Sequence, residues 1–256
     1  MTALRSALFN LFFFVSTFLL LFPGTLVRLI APHRVLGFAA GWARIELAAL
    51  RLICGIRFTV TGREHLPADG PALIASSHQS AFDTMVWMLL LPRCCYVLKR
   101  ELLSIPLFGG MVRASRMIAI DRAAGASALR SLLQQGEQAA ASGRQIVIFP
   151  EGTRAEPGLH LPLQPGVAAL TARLGLPVIP VATDSGLFWG RRAFRKRPGT
   201  IHVALRCPIP AATSRRELMD RLESALSEPV GHSPLAVENS VGLGADRFSD
   251  HRSLSG

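Results

Sequence analysis

Half of the 256 residues are hydrophobic and 18% are charged, a balance too mixed for a multi-spanning membrane protein and greasy for a soluble one, in a length that holds one catalytic-sized domain and a smaller appendage. The formal charge of +11 suits phosphate-bearing partners, whether nucleic acid, an anionic bilayer or an anionic substrate, without choosing among them. Cys54, Cys94, Cys95 and Cys207 show neither Cys-x-x-Cys nor Cys/His metal spacing, which argues against a disulfide-stapled scaffold and a metal site and reads as four buried, reduced thiols of a cytosolic domain.

From the N-terminus, no charge occurs between Ser6 and Val27, and Leu11 to Phe22 is apolar except for Ser16 and Thr17. Roughly 20 such residues are long enough to cross or enter a bilayer. A cleaved secretory signal is the weaker reading, because no small-x-small site follows promptly after Pro23. A second apolar stretch, Leu36 to Ile56, carries Arg44 and Arg51 seven residues apart on one helical face, with Glu46 on another. That pattern suits a helix lying in the interface or packed on the first one. Two ordinary core helices are the bland alternative. Against it, Phe9, Phe12, Phe13, Phe14, Phe18 and Phe22 leave the first segment almost no polar face. Residues 1–56 therefore read as a lipid-facing, membrane-associated helical hairpin.

From Arg57 the pattern changes to short β-rich runs: Arg57 to Thr61, Ala72 to Ser76, Cys94 to Leu98, Met117 to Ile120, Gln145 to Phe149, Val178 to Ala182 and Ile201 to Arg206. Helical stretches separate them at Ser80 to Leu91, Ser127 to Ser142 and Pro165 to Leu174. A last helix, Arg215 to Leu226, follows, opened by Ser214 with Glu217 as a capping box. Strands alternating with helices predict an α/β sheet. Without an internal repeat or long linker, residues 57–228 form one catalytic domain, and the polar tail 229–256 reads as disordered.

Two places carry chemistry. After the strand Ala72 to Ser76, His78 falls at the strand-to-helix turn and Asp83 five residues later on the first helical turn. Such a turn brings the carboxylate to one imidazole nitrogen and leaves the other to take a proton from a hydroxyl, with no serine or cysteine nucleophile required. Alone the pair is weak, since a histidine near a helix start with an Asp nearby is common. The run Phe149-Pro150-Glu151-Gly152-Thr153-Arg154 ends a buried strand, where open α/β sheets place ligands. Arg154 offers a planar donor fork matched to phosphate, with Thr153 and the Gly152 N–H as neutral donors. A charged surface turn with a Glu/Arg pair reads equally well from that run alone.

Together these runs resemble the glycerolipid acyltransferases, specifically the bacterial 1-acylglycerol-3-phosphate acyltransferases. The resemblance rests on four ordered blocks between about residues 55 and 210: His78 to Asp83, Ile118 to Arg122, Phe149 to Arg154, and Leu176-Pro177-Val178-Ile179-Pro180-Val181. The connecting segment Lys99-Arg100-Glu101-Leu102, followed by Ile105-Pro106 and Gly109, fits as well. It implies a mixed α/β sheet flanked by helices after an N-terminal hydrophobic hairpin. It also implies His78 as catalytic base, Asp83 as its partner, and Glu151, Gly152, Thr153 and Arg154 as ligands of the acceptor's glycerol phosphate. Arg122 is carried over as a second phosphate contact.

The implied reaction moves a fatty-acyl group from acyl-CoA or acyl-carrier protein to the sn-2 hydroxyl of lysophosphatidic acid, giving phosphatidic acid, with no metal or bound cofactor. Another lysolipid acceptor, such as a lyso-ornithine lipid, and hydrolysis of acyl thioesters are the alternatives. The residue before the base, often Asn in the family, is Ser77, and a basic residue expected in a later Phe-Lys-x-Gly stretch is replaced in Leu163-Gln164-Pro165-Gly166. The implied location is the inner membrane with the catalytic domain facing the cytoplasm. The oxyanion donor is left unassigned, although backbone N–H groups at the helix start after His78 could serve.

The remaining motif is Leu187 to Pro198, LFWGRRAFRKRP, with Phe188, Trp189 and Phe194 among Arg191, Arg192, Arg195, Lys196 and Arg197. Aromatics and bases together fit an anionic membrane surface. Single-stranded nucleic acid would suit the same mixture, but it explains neither the apolar N-terminus nor the four blocks, so no nucleic-acid partner is expected.

Overall fold

The computed structural model describes residues 1–159 and 161–231, so most of the predicted tail lies outside the described residues. The hairpin is present as helices α1 (Thr2–Ile30) and α2 (Val35–Cys54), joined by a 3-10 turn at Pro32–Arg34. Helix α2 stops at Gly55, whose φ of +69° suits a residue without Cβ, and whose N–H closes the helix on Arg51 O. Both helices run longer at their N-termini than hydropathy alone predicts, because Thr2, Arg5 and Val35 continue the backbone ladder without disturbing the apolar faces.

Seven strands follow: β1 (Ile56–Thr61), β2 (Ala72–Ser76), β3 (Cys94–Lys99), β4 (Ile118–Ile120), β5 (Gln145–Ile148), β6 (Val178–Thr183) and β7 (Gly199–Leu205). Interleaved with them are α3 (Phe82–Leu90), α4 (Phe108–Ala114), α5 (Ala126–Ala141), α6 (Gly166–Leu174) and the short α7 (Ser185–Phe188), with α8 (Arg215–Ser227) last. The sheet order is β1-β7-β6-β2-β5-β3-β4, parallel throughout except for the antiparallel β6–β7 pair. Each predicted strand is present within two residues of its expected ends. Helix α4 has no counterpart in the sequence reading, since its FGGMVRA carries two glycines and too short an apolar period to register.

Residue alternation sorts β2 between two cores. Ala72 and Ile74 face one layer, where Phe9, Leu47, Leu50, Phe82, Trp87 and Ile201 collect from α1, α2, α3 and β7. Leu73 and Ala75 face the other, with Ile146, Ile148, Leu170, Leu218 and Leu222 beneath α5, α6 and α8. The strand is buried along its whole length, as a parallel strand covered on both faces must be. Ser214 Oγ accepts from Glu217 N–H at 3.3 Å, the predicted cap of α8.

The hairpin shares the first of these cores. Phe9 is fully buried and meets Trp189 edge-on with ring centroids 5.3 Å apart. At the far end of α1, Gly24 lets α2 and α4 approach so closely that a Cβ would stand 2.6 Å from Met111 Sδ and 2.8 Å from Phe38. Between the two helices Ser16 Oγ donates to the buried Glu46, and Trp42 Nε1 donates to Thr17 Oγ1 at 3.1 Å. Glu46 thus faces inward while Arg44 and Arg51 face solvent, the separation that their spacing predicts. The outer face of α1 is a continuous apolar stripe including Leu4, Leu11, Phe14, Phe18 and Leu29, each more than half exposed. By length and composition α1 is able to cross a membrane.

Two readings need correction. Cys207 is exposed, whereas Cys54, Cys94 and Cys95 are buried as expected, all four being free thiols. Lys196 is also not a surface base: its side chain turns inward to 3% exposure. Its ammonium donates to Asn10 Oδ1 and to the carbonyls of Ala193 and Phe194, and lies 5.3 and 5.8 Å from the rings of Trp189 and Phe9. The physical reason is that three oxygens and two π faces replace its hydration. Its neighbours Arg195 and Arg197 stay exposed, as does Phe194 before them at 56%.

Because Lys196 is enclosed by acceptors only, Lys196→Glu puts a second set of lone pairs against them. A change of this kind costs about 3 kcal/mol or more, roughly 6–12 °C in melting temperature for a chain of this size. Thermal unfolding followed by circular dichroism should show that loss for Lys196→Glu and little change for Arg195→Glu or Arg197→Glu.

Candidate active site

The central strand β2 delivers Ser77 and His78 to the carboxyl edge of the sheet. Ser77 N–H donates to Val181 O at 2.9 Å and Ser77 Oγ accepts from Thr183 N–H at 3.0 Å, so the exit is tied to β6. Asp83, 1% exposed on the first turn of α3, then reaches back. Its Oδ2 accepts from His78 Nδ1 at 3.1 Å, from Gln79 N–H at 2.7 Å and from Ser80 N–H at 2.8 Å. A helix N-terminus favours negative charge at that place. A carboxylate only accepts, so Nδ1 carries the hydrogen and Nε2 presents its lone pair. The His–Asp pairing that the spacing predicts is therefore present. The same bonds engage the N–H groups of Gln79 and Ser80, so neither is free to serve as an oxyanion donor.

The imidazole is stacked on Phe149, with centroids 4.2 Å apart and planes 21° from parallel. Tyr96 covers the ring of Phe149 in turn at 6.2 Å, and its hydroxyl donates to Thr84 O. In the sequence Phe149 ends the run Gln145 to Phe149 and Tyr96 lies within Cys94 to Leu98. Nothing in their sequence spacing places them beneath His78, because that depends on β3, β5 and β2 being neighbours in the sheet.

Beyond Phe149 the loop turns sharply at Gly152, φ +72°, whose N–H donates to Phe149 O at 3.0 Å. A Cβ there would stand 3.1 Å from Arg122 Nη1. Arg122 itself donates to Gly152 O, so it braces the turn. Glu151 Oε2 accepts from His78 N–H at 3.0 Å. Burial, reinforced by the neighbouring Asp83 and opposed by that hydrogen bond, pushes the Glu151 carboxyl up to about 7. Ala155 N–H donates to His78 O at 2.8 Å. Thr153 and Arg154 are exposed at the tip, and Arg191 Nη1 donates to Arg154 O at 3.4 Å.

All seven expected site residues therefore converge on the edge formed by β2 and β5, with differing engagements. Asp83, Glu151 and Arg122 hold the backbone or the His78 imidazole. Arg154 and Thr153 present their side chains outward. A cavity of about 500 Å³ opens alongside, walled by Gln79, Glu151, Leu161, Thr183, Leu187 and Leu226 among others. Gln79 Oε1 accepts from Gly186 N–H at 3.1 Å and pins one wall to α7. Among the described residues no group of three or more His, Cys, Asp or Glu side chains is placed to hold a metal ion.

Comparison with known proteins agrees with this geometry. The family model described as Acyltransferase matches residues 57–184, which contain all seven expected site residues. Over 91% of its length the chain is 36% identical to the 1-acyl-sn-glycerol-3-phosphate acyltransferase of Pseudomonas aeruginosa, of which it covers 93%. It is 30% identical over 76% of its length to the human 1-acyl-sn-glycerol-3-phosphate acyltransferase alpha, covering 68% of that protein. The fold matches the crystal structure of the 1-acyl-sn-glycerophosphate acyltransferase of Thermotoga maritima with a TM-score of 0.72 at 23% identity, over 88% of this chain and 95% of that one.

If His78 and Asp83 act as one unit, His78→Ala and Asp83→Asn should each slow single-turnover acyl transfer by about 10²–10⁴. The double variant should be scarcely slower than His78→Ala alone. Circular dichroism should stay unchanged for His78→Ala, whose imidazole faces the site mouth. Near wild-type transfer by a folded His78→Ala chain would exclude the base assignment.

Proposed function

The chain belongs to the acyltransferase family and is an acyltransferase, and from that premise we propose that it esterifies the sn-2 hydroxyl of lysophosphatidic acid with a fatty-acyl group from acyl-CoA or acyl-carrier protein. The observation that carries the reading is the His78 imidazole, held at Nδ1 by a buried carboxylate and open at Nε2, beside an exposed arginine fork on the next strand's loop. Nε2 takes the proton of the acceptor hydroxyl as its oxygen bonds to the thioester carbonyl carbon. The tetrahedral adduct then collapses, the carbon–sulfur bond breaks, and the leaving thiolate takes the proton from the imidazolium, giving ester and thiol.

Arg154 receives the acceptor phosphate through its fork, with Thr153 and the turn at Gly152 completing the pocket. Arg122 serves the same acceptor site by bracing Gly152. The names of the relatives from Pseudomonas aeruginosa and human support lysophosphatidic acid over a lyso-ornithine lipid, whose headgroup lacks the terminal phosphate that the Arg154 fork fits.

Membrane attachment follows from the apolar stripe on α1 and the exposed Phe194 with Arg195 and Arg197 beside it, which together fit a hydrophobic and anionic lipid surface. Since α1 is docked on the catalytic domain near Phe9 and again at Gly24, we place it half-sunk in one leaflet of the inner membrane, with the site opening at the cytoplasmic surface.

Incubation with labelled acyl thioester should yield phosphatidic acid only when lysophosphatidic acid is supplied. Thiol release independent of any acceptor would identify a hydrolase instead. Arg154→Lys should raise the apparent KM for lysophosphatidic acid about 10–100-fold, the worth of a charged hydrogen bond that a point charge cannot replace. Unchanged acceptor kinetics would remove Arg154 from the phosphate site.

The membrane reading is tested in the full chain, because deleting the hairpin would strip Phe9, Leu47 and Leu50 from the core. Phe14→Asp with Phe18→Asp should lower partition into anionic vesicles at least tenfold while leaving the melting temperature in detergent unchanged. Undiminished partition would exclude this face.

A further inference from the structure

We propose that Glu151 is a positioning residue for the catalytic base, acting on the main chain of His78, and is not a ligand of the acceptor. This rests on His78 being the base, as argued above, and assigns to the Phe149–Arg154 run a second task beyond phosphate binding.

The turn that carries His78 exposes three consecutive backbone N–H groups, at His78, Gln79 and Ser80, and two carboxylates divide them. Asp83 takes Gln79 and Ser80 at 2.7 and 2.8 Å, and Glu151 takes His78 at 3.0 Å. Successive N–H groups pointing to one side form a concavity that attracts negative charge, and here side chains of the protein fill it from opposite ends. The clip is completed from the same loop, since Ala155 N–H donates to His78 O at 2.8 Å. Both polar groups of the His78 peptide unit are thus held by residues 151–155. Asp83 orients the ring, and Glu151 with Ala155 orients the backbone from which the ring hangs.

A role as acceptor ligand fits these contacts poorly. Glu151 Oε2 is already engaged, and a carboxylate repels the phosphate that the neighbouring Arg154 would hold. The raised carboxyl of Glu151 points the same way: the burial that raises it is more easily borne by a neutral acceptor, and a neutral oxygen still serves a backbone N–H. Reach matters more than charge in this assignment. Glutamine preserves the oxygen and its reach, alanine removes the oxygen, and aspartate keeps the charge but is shorter by one methylene.

The experiment measures kcat and the KM for lysophosphatidic acid in the full-length enzyme carrying Glu151→Gln, Glu151→Ala or Glu151→Asp, alongside His78→Ala. Leaving the part-buried His78 N–H without its acceptor should lower kcat about 10–100-fold in the Ala and Asp variants. Glu151→Gln should stay within about fivefold of wild type, and the acceptor KM should stay within about twofold in all three. The retained activity of Glu151→Gln guards against misfolding as the cause, and melting curves of the Ala and Asp variants check it directly.

The assignment is overturned if Glu151→Ala raises acceptor KM tenfold with kcat preserved, or if Glu151→Gln is as slow as Glu151→Ala. It is likewise overturned if the Ala and Asp variants lose activity only in proportion to lost folded protein. Full activity of His78→Ala would instead overturn the base assignment itself, a result distinguishable from any pattern among the Glu151 variants.

Discussion

One oxygen of Asp83 gathers three donors, and the arrangement of the site follows from it. A carboxylate at 1% exposure is tolerated only where its charge is answered by hydrogen bonds, and Asp83 Oδ2 finds them in the His78 ring and in the N–H groups of Gln79 and Ser80. Those bonds fix where α3 begins relative to β2, since the helix must present its second residue to the turn before it. They also decide which imidazole nitrogen faces the substrate. The other oxygen, Oδ1, is buried without a partner, so the cost of placing the charge there is not fully offset locally. That imbalance is characteristic of functional sites, where geometry is maintained at the expense of stability.

The sheet supplies what the turn cannot. His78 leaves the end of β2, and Phe149 leaves β5, its parallel neighbour. Parallel neighbours end on the same side, so the two loops meet without any long-range reach of side chains. Residues 78 and 151–155 then grip each other through main-chain and side-chain bonds. Because β2 is the central strand of the seven, fourth from either edge, and is covered on both faces, its direction is set by two hydrophobic layers together. One of those layers includes Phe9 of α1 and Leu47 and Leu50 of α2. The apolar hairpin and the turn that carries His78 therefore share a packing unit, and a change in how α1 seats is felt first at the α2–α3 layer.

How much of this was legible beforehand depended on whether the physics was local. Strand β2, with its unbroken apolar ALIA run, declared itself, and so did the capped helix α8 and the two apolar segments of the hairpin. The His78–Asp83 pairing was legible because five residues across a strand-to-helix turn constrain it without help from the rest of the chain. Arg154 as an outward fork followed from its place past the end of a buried strand. What remained hidden required knowing which strands are neighbours. The stacking of Phe149 on His78, the clip from Glu151 and the brace from Arg122 to Gly152 all cross between segments far apart in sequence. Lys196 was misread for a related reason: in a run of bases, composition says that the loop is polar, but only packing against Phe9, Asn10 and Trp189 tells which base turns inward.

The stack of His78 on Phe149, backed by Tyr96, has a consequence for the order of proton movements. An imidazole lying flat against one ring and tethered at Nδ1 cannot rotate half a turn about its own bond without breaking the tether and sweeping its edge into the aromatic face. Exchanging the two nitrogens therefore costs both the tether and the stack. Whatever proton arrives at Nε2 must depart from Nε2, and the attacking and leaving groups must approach the same edge of the ring in succession. With His78 as the base proposed above, the site would act as a single-port relay, in which the path of the departing thiol is already defined by the path of the entering hydroxyl.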